Sequence, residues 1–165
     1  MQNLRLSVMR DVDLPDVAAL NHAASPAVSD IGEDAIRQLR DMSEICLLAR
    51  NAHGTAIAFL MSLGPGQPYD SENYQWFETR GVPHQYIDRI VVATSAKGTG
   101  VGRALYESVI EHARQSGASE VTCEVNISPP NPGSLAFHER MGFQRLAEQD
   151  TKNGTIRVAL MARGL

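Results

Sequence analysis

The sequence predicts a single α/β domain over residues 1–165, with a central sheet that is mixed but mostly antiparallel and flanked by helices. Three observations lead there. Residues 85–127 read as strand, glycine-rich loop, helix and strand, a β-α-β unit whose strands lie parallel with a right-handed crossover. On each side of that unit sits a pair of apolar runs joined by a turn. Residues 45–49 and 55–61 flank Arg50-Asn51-Ala52-His53-Gly54, and 143–149 and 156–161 flank Thr151-Lys152-Asn153-Gly154. Both read as antiparallel hairpins. Finally, 43% of the 165 residues are hydrophobic and no repeat, low-complexity tract or linker interrupts them, which suits one core burying about two thirds of the unfolded surface.

The elements follow in order. Residues 4–9 alternate as a short strand. Asp13 is placed to cap a helix that begins at Leu14-Pro15 and runs to Ala23 or Ala24, with proline suited to its first turn. Ser25-Pro26 breaks the chain. A second helix over 31–41 repeats Ala35, Ile36 and Leu39 at helical spacing, with Glu33 and Asp34 in its first turn. After the first hairpin, Gly64-Pro65-Gly66-Gln67-Pro68 ends the strand, and a short helix starts after Asp70 or Ser71. A strand over 85–92, a helix over 100–115 stopped by Ser116-Gly117, and a strand over 120–127 form the crossover unit. A short helix over 132–141 is stopped by Gly142. In the last hairpin Asn153-Gly154 is the turn signal.

Composition excludes several classes. Lys plus Arg number 15 against 19 Asp plus Glu, a formal charge of -4, and Arg5, Arg10, Arg37, Arg40 and Arg50 are scattered among acids. A nucleic-acid partner is therefore not expected. Cys46 and Cys123 lie in apolar runs and read as buried thiols rather than a disulfide framework. The start MQNLRLSVMRDVD acquires charge at once, and nowhere do 18 apolar residues follow one another, so a cytoplasmic location and no membrane partner are expected. His22, His53, His84, His112 and His138 make no CxxC, HExxH or paired-histidine spacing. No metal is expected.

Chemistry concentrates in two segments. Lys97-Gly98-Thr99-Gly100-Val101-Gly102-Arg103 lies between a strand and a helix, where its backbone can approach a ligand and free N–H groups meet a helix N-terminus, the makeup of a phosphate or pyrophosphate site. No Lys-Ser/Thr pair closes it as in a P-loop, and it lacks the spacing of a dinucleotide fingerprint. The second segment, YDSENYQWFETRG, gathers Tyr69, Tyr74, Trp76 and Phe77 in a chain only 5% aromatic. These rings either anchor a long connection to the core or line the mouth of a substrate pocket.

The run from Lys97 to Gly102 resembles the acetyl-CoA pyrophosphate loop of GNAT-type N-acetyltransferases, Gln/Arg-x-x-Gly-x-Gly/Ala, with Lys97 in the Gln/Arg position. Asn131-Pro132-Gly133-Ser134-Leu135-Ala136-Phe137-His138-Glu139-Arg140-Met141-Gly142-Phe143 resembles that family's Asn-x-x-Ala-x-x-x-Tyr-x-x-x-Gly-Phe segment, with His138 in place of Tyr. The resemblance covers roughly residues 85–145. It implies the acyl-CoA N-acyltransferase fold, acetyl-CoA as co-substrate without a metal, and a small-molecule amine or peptide as acceptor; a homodimer is left open. By the same resemblance, backbone groups of Ile90, Val91 and Val92 hold the pantetheine arm. Lys97, Gly98, Thr99, Gly100, Val101, Gly102 and Arg103 bind the pyrophosphate, and Asn126, Asn131, Ser134 and His138 bind along the arm.

Transfer to an amine needs a base and a proton donor. His138 stands where the family's donor Tyr stands, and it either protonates the leaving thiolate or packs against the cofactor; Tyr106 and Tyr86 are substitutes. For the base, strand parity puts Tyr86, Asp88 and Ile90 on one side of their strand and Thr122, Glu124 and Asn126 on one side of theirs. Asp88 and Glu124 lead, because a carboxylate among Ile87, Ile90, Val121, Cys123 and Val125 is costly unless paired or serving a site. Tyr69, Tyr74, Trp76, Phe77 and Tyr86 are the expected acceptor-binding residues. A non-catalytic acyl-CoA-binding or regulatory domain is the rival reading, and a simple nucleotide binder a third.

Overall fold

The computed structural model describes residues 4–165. Met1 to Asn3, where the N-terminal segment begins, lie outside the described residues. The sheet is mixed and mostly antiparallel, and helices flank it, as the sequence predicts. Two compact units divide the chain. One holds the described residues up to Leu63 together with Arg89–Val109; the other holds Gly64–Asp88 and Ile110–Leu165.

In the first unit, β1 (Arg5–Val8), β2 (Ile45–Arg50) and β3 (Ala56–Leu63) pair antiparallel. All of β3 after Ala56 is buried, which is why its run AIAFLMSL shows no alternation. Asn51 closes the β2–β3 turn by accepting the N–H groups of His53 and Thr55 on its Oδ1, both at 3.0 Å. Helix α1 (Leu14–Ala23) buries Leu14 and Val17, and α2 (Glu33–Met42) buries Ile36 and Leu39. Arg89 is buried and donates to Asn21 Oδ1 (2.9 Å) and Ser29 O (3.2 Å), tying down the segment between these helices.

Asp13 departs from its expected role. Its side chain makes no cap on α1. The carboxylate turns back to accept Arg10 N–H (2.8 Å) and pairs with Arg50 Nη2 (2.8 Å), because a charged group this buried needs partners that water no longer supplies.

In the second unit, β5 (Glu120–Ser128), β7 (Ile156–Gly164) and β6 (Gln144–Thr151) run antiparallel. The β6–β7 turn puts Asn153 (φ 58°) and Gly154 (φ 80°) in the left-handed region, as the Asn-Gly signal predicts, and Lys152 (φ 50°) with them. Strand β4 (His84–Val92) is parallel to β5 through His84↔Glu120, Gln85↔Val121 and Tyr86↔Thr122. Helix α3 (Glu72–Thr79) starts under Ser71, whose Oγ accepts Tyr74 N–H at 3.3 Å. Helix α4 (Val101–Gln115) has its residues up to Val109 in the first unit and the rest in the second, and α5 (Pro132–Arg140) follows β5. Both cysteines are free and buried; burial pushes the Cys46 thiol up to about 11. Among the described residues, no helix is long and apolar enough to cross a membrane.

Candidate active site

The glycine loop belongs to the first unit. Beyond β4, Ala93 donates its N–H to Ile57 O (2.8 Å), and a single 3-10 turn over Thr94–Ala96 leads into the loop. Gly98 (φ 76°) and Gly100 (φ 87°) take a backbone conformation that side-chain-bearing residues rarely adopt. Between them Thr99 Oγ1 donates to Ala96 O (2.6 Å) and pins the turn. The first backbone bond of α4 runs from Ala104 N–H to Gly100 O (3.1 Å). The helix therefore offers no carbonyl to the N–H groups of Val101, Gly102 and Arg103, and its dipole favours an anion there. Lys97, Gly98, Thr99, Gly100 and Arg103 are exposed, Val91 is buried, and Ile90 and Val92 are half-buried.

The carboxylates and acceptor-side aromatics belong to the second unit, where they meet. Tyr69 Oη donates to Asp88 Oδ1 (2.5 Å), and Tyr86 Oη donates to Glu124 Oε2 (2.7 Å). The five predicted rings form one cluster, with centroid separations of 5.7 Å for Tyr69–Tyr74, 5.3 Å for Tyr74–Tyr86, 5.9 Å for Phe77–Tyr86 and 5.1 Å for Trp76–Phe77. Helical spacing turns Tyr74 and Phe77 inward together, so both are buried, whereas Tyr69 and Trp76 are half-buried. Tyr74 Oη donates to Gly64 O (2.7 Å) and accepts Gln67 N–H (3.0 Å), shaping the loop that carries Tyr69. Trp76 lies under the Arg80 guanidinium at 5.7 Å, and Arg80 pairs with Glu120. Burial, then the charges of Glu124 and Asp88, push the Tyr86 phenol well above its ordinary value, so it stays protonated and donates.

Sequence reasoning missed His84, considering it only as a metal ligand. The imidazole is 2% exposed; Nε2 lies 2.7 Å from Glu78 Oε1 and Nδ1 3.2 Å from Thr122 Oγ1. Glu78 Oε2 in turn accepts Gly66 N–H (2.9 Å), so the pair buttresses the loop before Tyr69. Strand parity was the usable signal, because His84 shares the side of Tyr86 and Asp88.

After β5, Asn131 N–H donates to Asn126 O (3.0 Å), and Asn131 Oδ1 caps α5 by accepting Ser134 N–H (3.3 Å). His138 is 3% exposed between the rings of Phe137 (5.3 Å) and Phe143 (5.5 Å). Its Nδ1 lies 2.7 Å from Ser134 O, a carbonyl that can only accept, so Nδ1 carries a proton. Burial lowers the imidazole below its ordinary value despite the opposing bond to Ser134, and the neutral ring has its lone pair on Nε2. Tyr106 is fully buried on α4. Among the described residues, no group of three or more His, Cys, Asp or Glu is placed to hold a metal ion.

A strand, a left-handed glycine turn and a helix start make an anion-binding β-α junction within an α/β fold. Residues 14–143 match the acetyltransferase (GNAT) family, and the chain belongs to it. It is 29% identical over 152 residues to the mycothiol acetyltransferase of Propionibacterium freudenreichii, covering 86% of this chain and 43% of that protein. It is 38% identical over 60 residues to the N-alpha-acetyltransferase MAK3 of Arabidopsis thaliana, covering 36% of this chain and 30% of that protein. The chain thus spans less than half the length of these relatives. In fold it is similar to Arabidopsis thaliana Naa50 in complex with the bisubstrate analogue CoA-Ac-MVNAL, with a TM-score of 0.75, 16% identity, and coverage of 98% of this chain and 99% of that one.

Proposed function

We propose that the chain transfers the acetyl group of acetyl-CoA to a primary amine by direct attack, with Glu124 as the base. The observation that carries this is the Tyr86–Glu124 pair, a half-buried carboxylate held by a fully buried phenol in a chain of the GNAT family. The names of the relatives, a mycothiol acetyltransferase and an N-alpha-acetyltransferase, support acetyl transfer to an amine, with a small molecule or a peptide as acceptor.

The amides at Gly98 to Arg103 receive the diphosphate, with Lys97 and Arg103 adding charge, and backbone groups of Ile90, Val91 and Val92 hold the pantetheine arm. Tyr69 and Trp76 contact the acceptor, with Tyr74, Phe77 and Tyr86 forming the wall behind them. Asp88, held by Tyr69, orients the amine. Glu124 takes the ammonium proton directly or through water, and the neutral nitrogen attacks the thioester carbonyl carbon. As the carbon–sulfur bond breaks, coenzyme A leaves as thiolate, and the proton still carried by the attacking nitrogen passes through water to the sulfur, leaving amide and free thiol. His138, neutral and bonded through Nδ1 to its own helix, packs α5 rather than donating to sulfur.

A panel of small amines and short peptides with acetyl-CoA, read by thiol release and product mass, tests the proposal. Turnover with at least one amine well above hydrolysis is expected. Tight acetyl-CoA binding without turnover across the panel would favour the acyl-CoA-binding reading, which His138 in the donor position supports.

A further inference from the structure

We propose that Tyr86 is a positioning residue for Glu124, fixing the carboxylate's orientation and favouring its ionised form by donating a hydrogen bond from an immovable ring, rather than contacting the acceptor or transferring a proton itself. This rests on the proposed role of Glu124 in taking the amine proton.

The geometry carries it. Tyr86 is 0% exposed, and its ring is held edge-on by Tyr74 at 5.3 Å and packs at a tilt against Phe77 at 5.9 Å. Both of those rings sit on α3, and Tyr74 is itself pinned to Gly64 and Gln67. The phenol oxygen therefore has little freedom, and its single proton points at Glu124 Oε2 (2.7 Å). A hydrogen bond from a fixed neutral donor stabilises the charged form of a carboxylate and costs no reorganisation when the proton moves. The groups facing the phenol are Glu124 from β5, Asp88 from its own strand, Tyr69 from the loop before α3, and Tyr74 from α3. The carboxylates are negative, so a Tyr86 phenolate would add a third charge in a buried space, and the phenol keeps its proton.

Tyr86→Phe removes the donor and keeps the ring. In protein carrying carbon-13-labelled glutamate, with the Glu124 resonance assigned through Glu124→Gln, the Glu124 carboxyl of Tyr86→Phe should titrate about one pH unit higher than in wild type. The acidic limb of kcat/KM should move up by the same amount. At pH above that limb the variant should regain most of the wild-type rate, with both KM values within about threefold, because uniform binding is untouched. An unmoved titration would overturn the proposal and leave Tyr86 a space-filling ring. An unmoved titration with about a hundredfold loss of rate at every pH would assign the phenol to proton transfer instead. Wild-type turnover by Glu124→Gln would remove Glu124 as the base even where the resonance shifts, so failure of the catalytic reading and failure of the positioning inference separate.

Discussion

Replacing His138 with alanine distinguishes packing from proton donation. The substitution deletes an imidazole that is 3% exposed and wedged between Phe137 and Phe143, and removes its bond to Ser134 O. Losing a buried side chain of this size costs about 2–3 kcal/mol, and the lost hydrogen bond adds about 1 kcal/mol. A total of about 3–4 kcal/mol lowers Tm by about 6–16 °C for a chain of this length. If the ring only packs α5, kcat at a temperature where the variant is folded falls by no more than about threefold. A general acid at this position would contribute a hundredfold or more. Circular dichroism melting and thiol-trapping kinetics on the same preparation decide. A variant with wild-type Tm and a hundredfold lower kcat would refute the packing role. His138→Tyr, which restores the resembled motif, forces a larger ring into the same space and should also lose about 1–3 kcal/mol without a gain in rate. The pH dependence has a definite sign. Because burial lowers the folded imidazole below 6.5, the unfolded chain binds a proton first as pH falls, so this group's stability is full above about 6.5 and declines below it. His138→Gln should remove that part of the decline.

Three further outcomes follow from the geometry. Gly100→Asp places a side chain at φ 87°, where open space avoids a clash but left-handed strain and negative charge remain; acetyl-CoA should bind at least tenfold more weakly, about 1.4 kcal/mol, in calorimetric titration. Tyr69→Phe and Trp76→Ala should raise the acceptor KM by about threefold to tenfold while leaving the acetyl-CoA KM unchanged, whereas equal losses with a lower Tm would mark both as core anchors. Burial alone would raise the Asp13 carboxyl, but Arg10 N–H and Arg50 outweigh it and hold it below 3.8, so its contribution is present above that pH and lost as pH falls through the lower folded value. Asp13→Asn should cost about 1–3 kcal/mol at pH 7 by urea unfolding, since Arg50 keeps its contact with Asp16, and should flatten the acid limb of stability below about pH 4.

Regular elements were legible because their signals are local. Ser71 opens α3, the periodic Ile36 and Leu39 mark α2, and Asn153-Gly154 turns the last hairpin, each decided within a few residues of chain. The glycine loop was legible for the same reason, since Gly98 and Gly100 declare a left-handed backbone. What parity could not supply was pairing. It placed Asp88 with Tyr86 and named Glu124, yet the Tyr69–Asp88 contact joins residues 19 apart and the Tyr86–Glu124 contact residues 38 apart on parallel strands. Asp13 misled because an acid before a proline-started helix reads as a cap, while Arg50, far along the chain, competes for the same carboxylate. His138 showed its position in a motif but not its tautomer, which Ser134 O selects.

The most direct test of Glu124 as the base is the pH dependence of thiol release from acetyl-CoA by wild type and Glu124→Gln with one amine that turns over. The wild-type rate should rise with pH along an acidic limb. Glu124→Gln should lose that limb and about a hundredfold to ten-thousandfold in kcat/KM, while acetyl-CoA affinity stays within about threefold. A Glu124→Gln variant that keeps the limb and turns over within threefold of wild type would contradict this role.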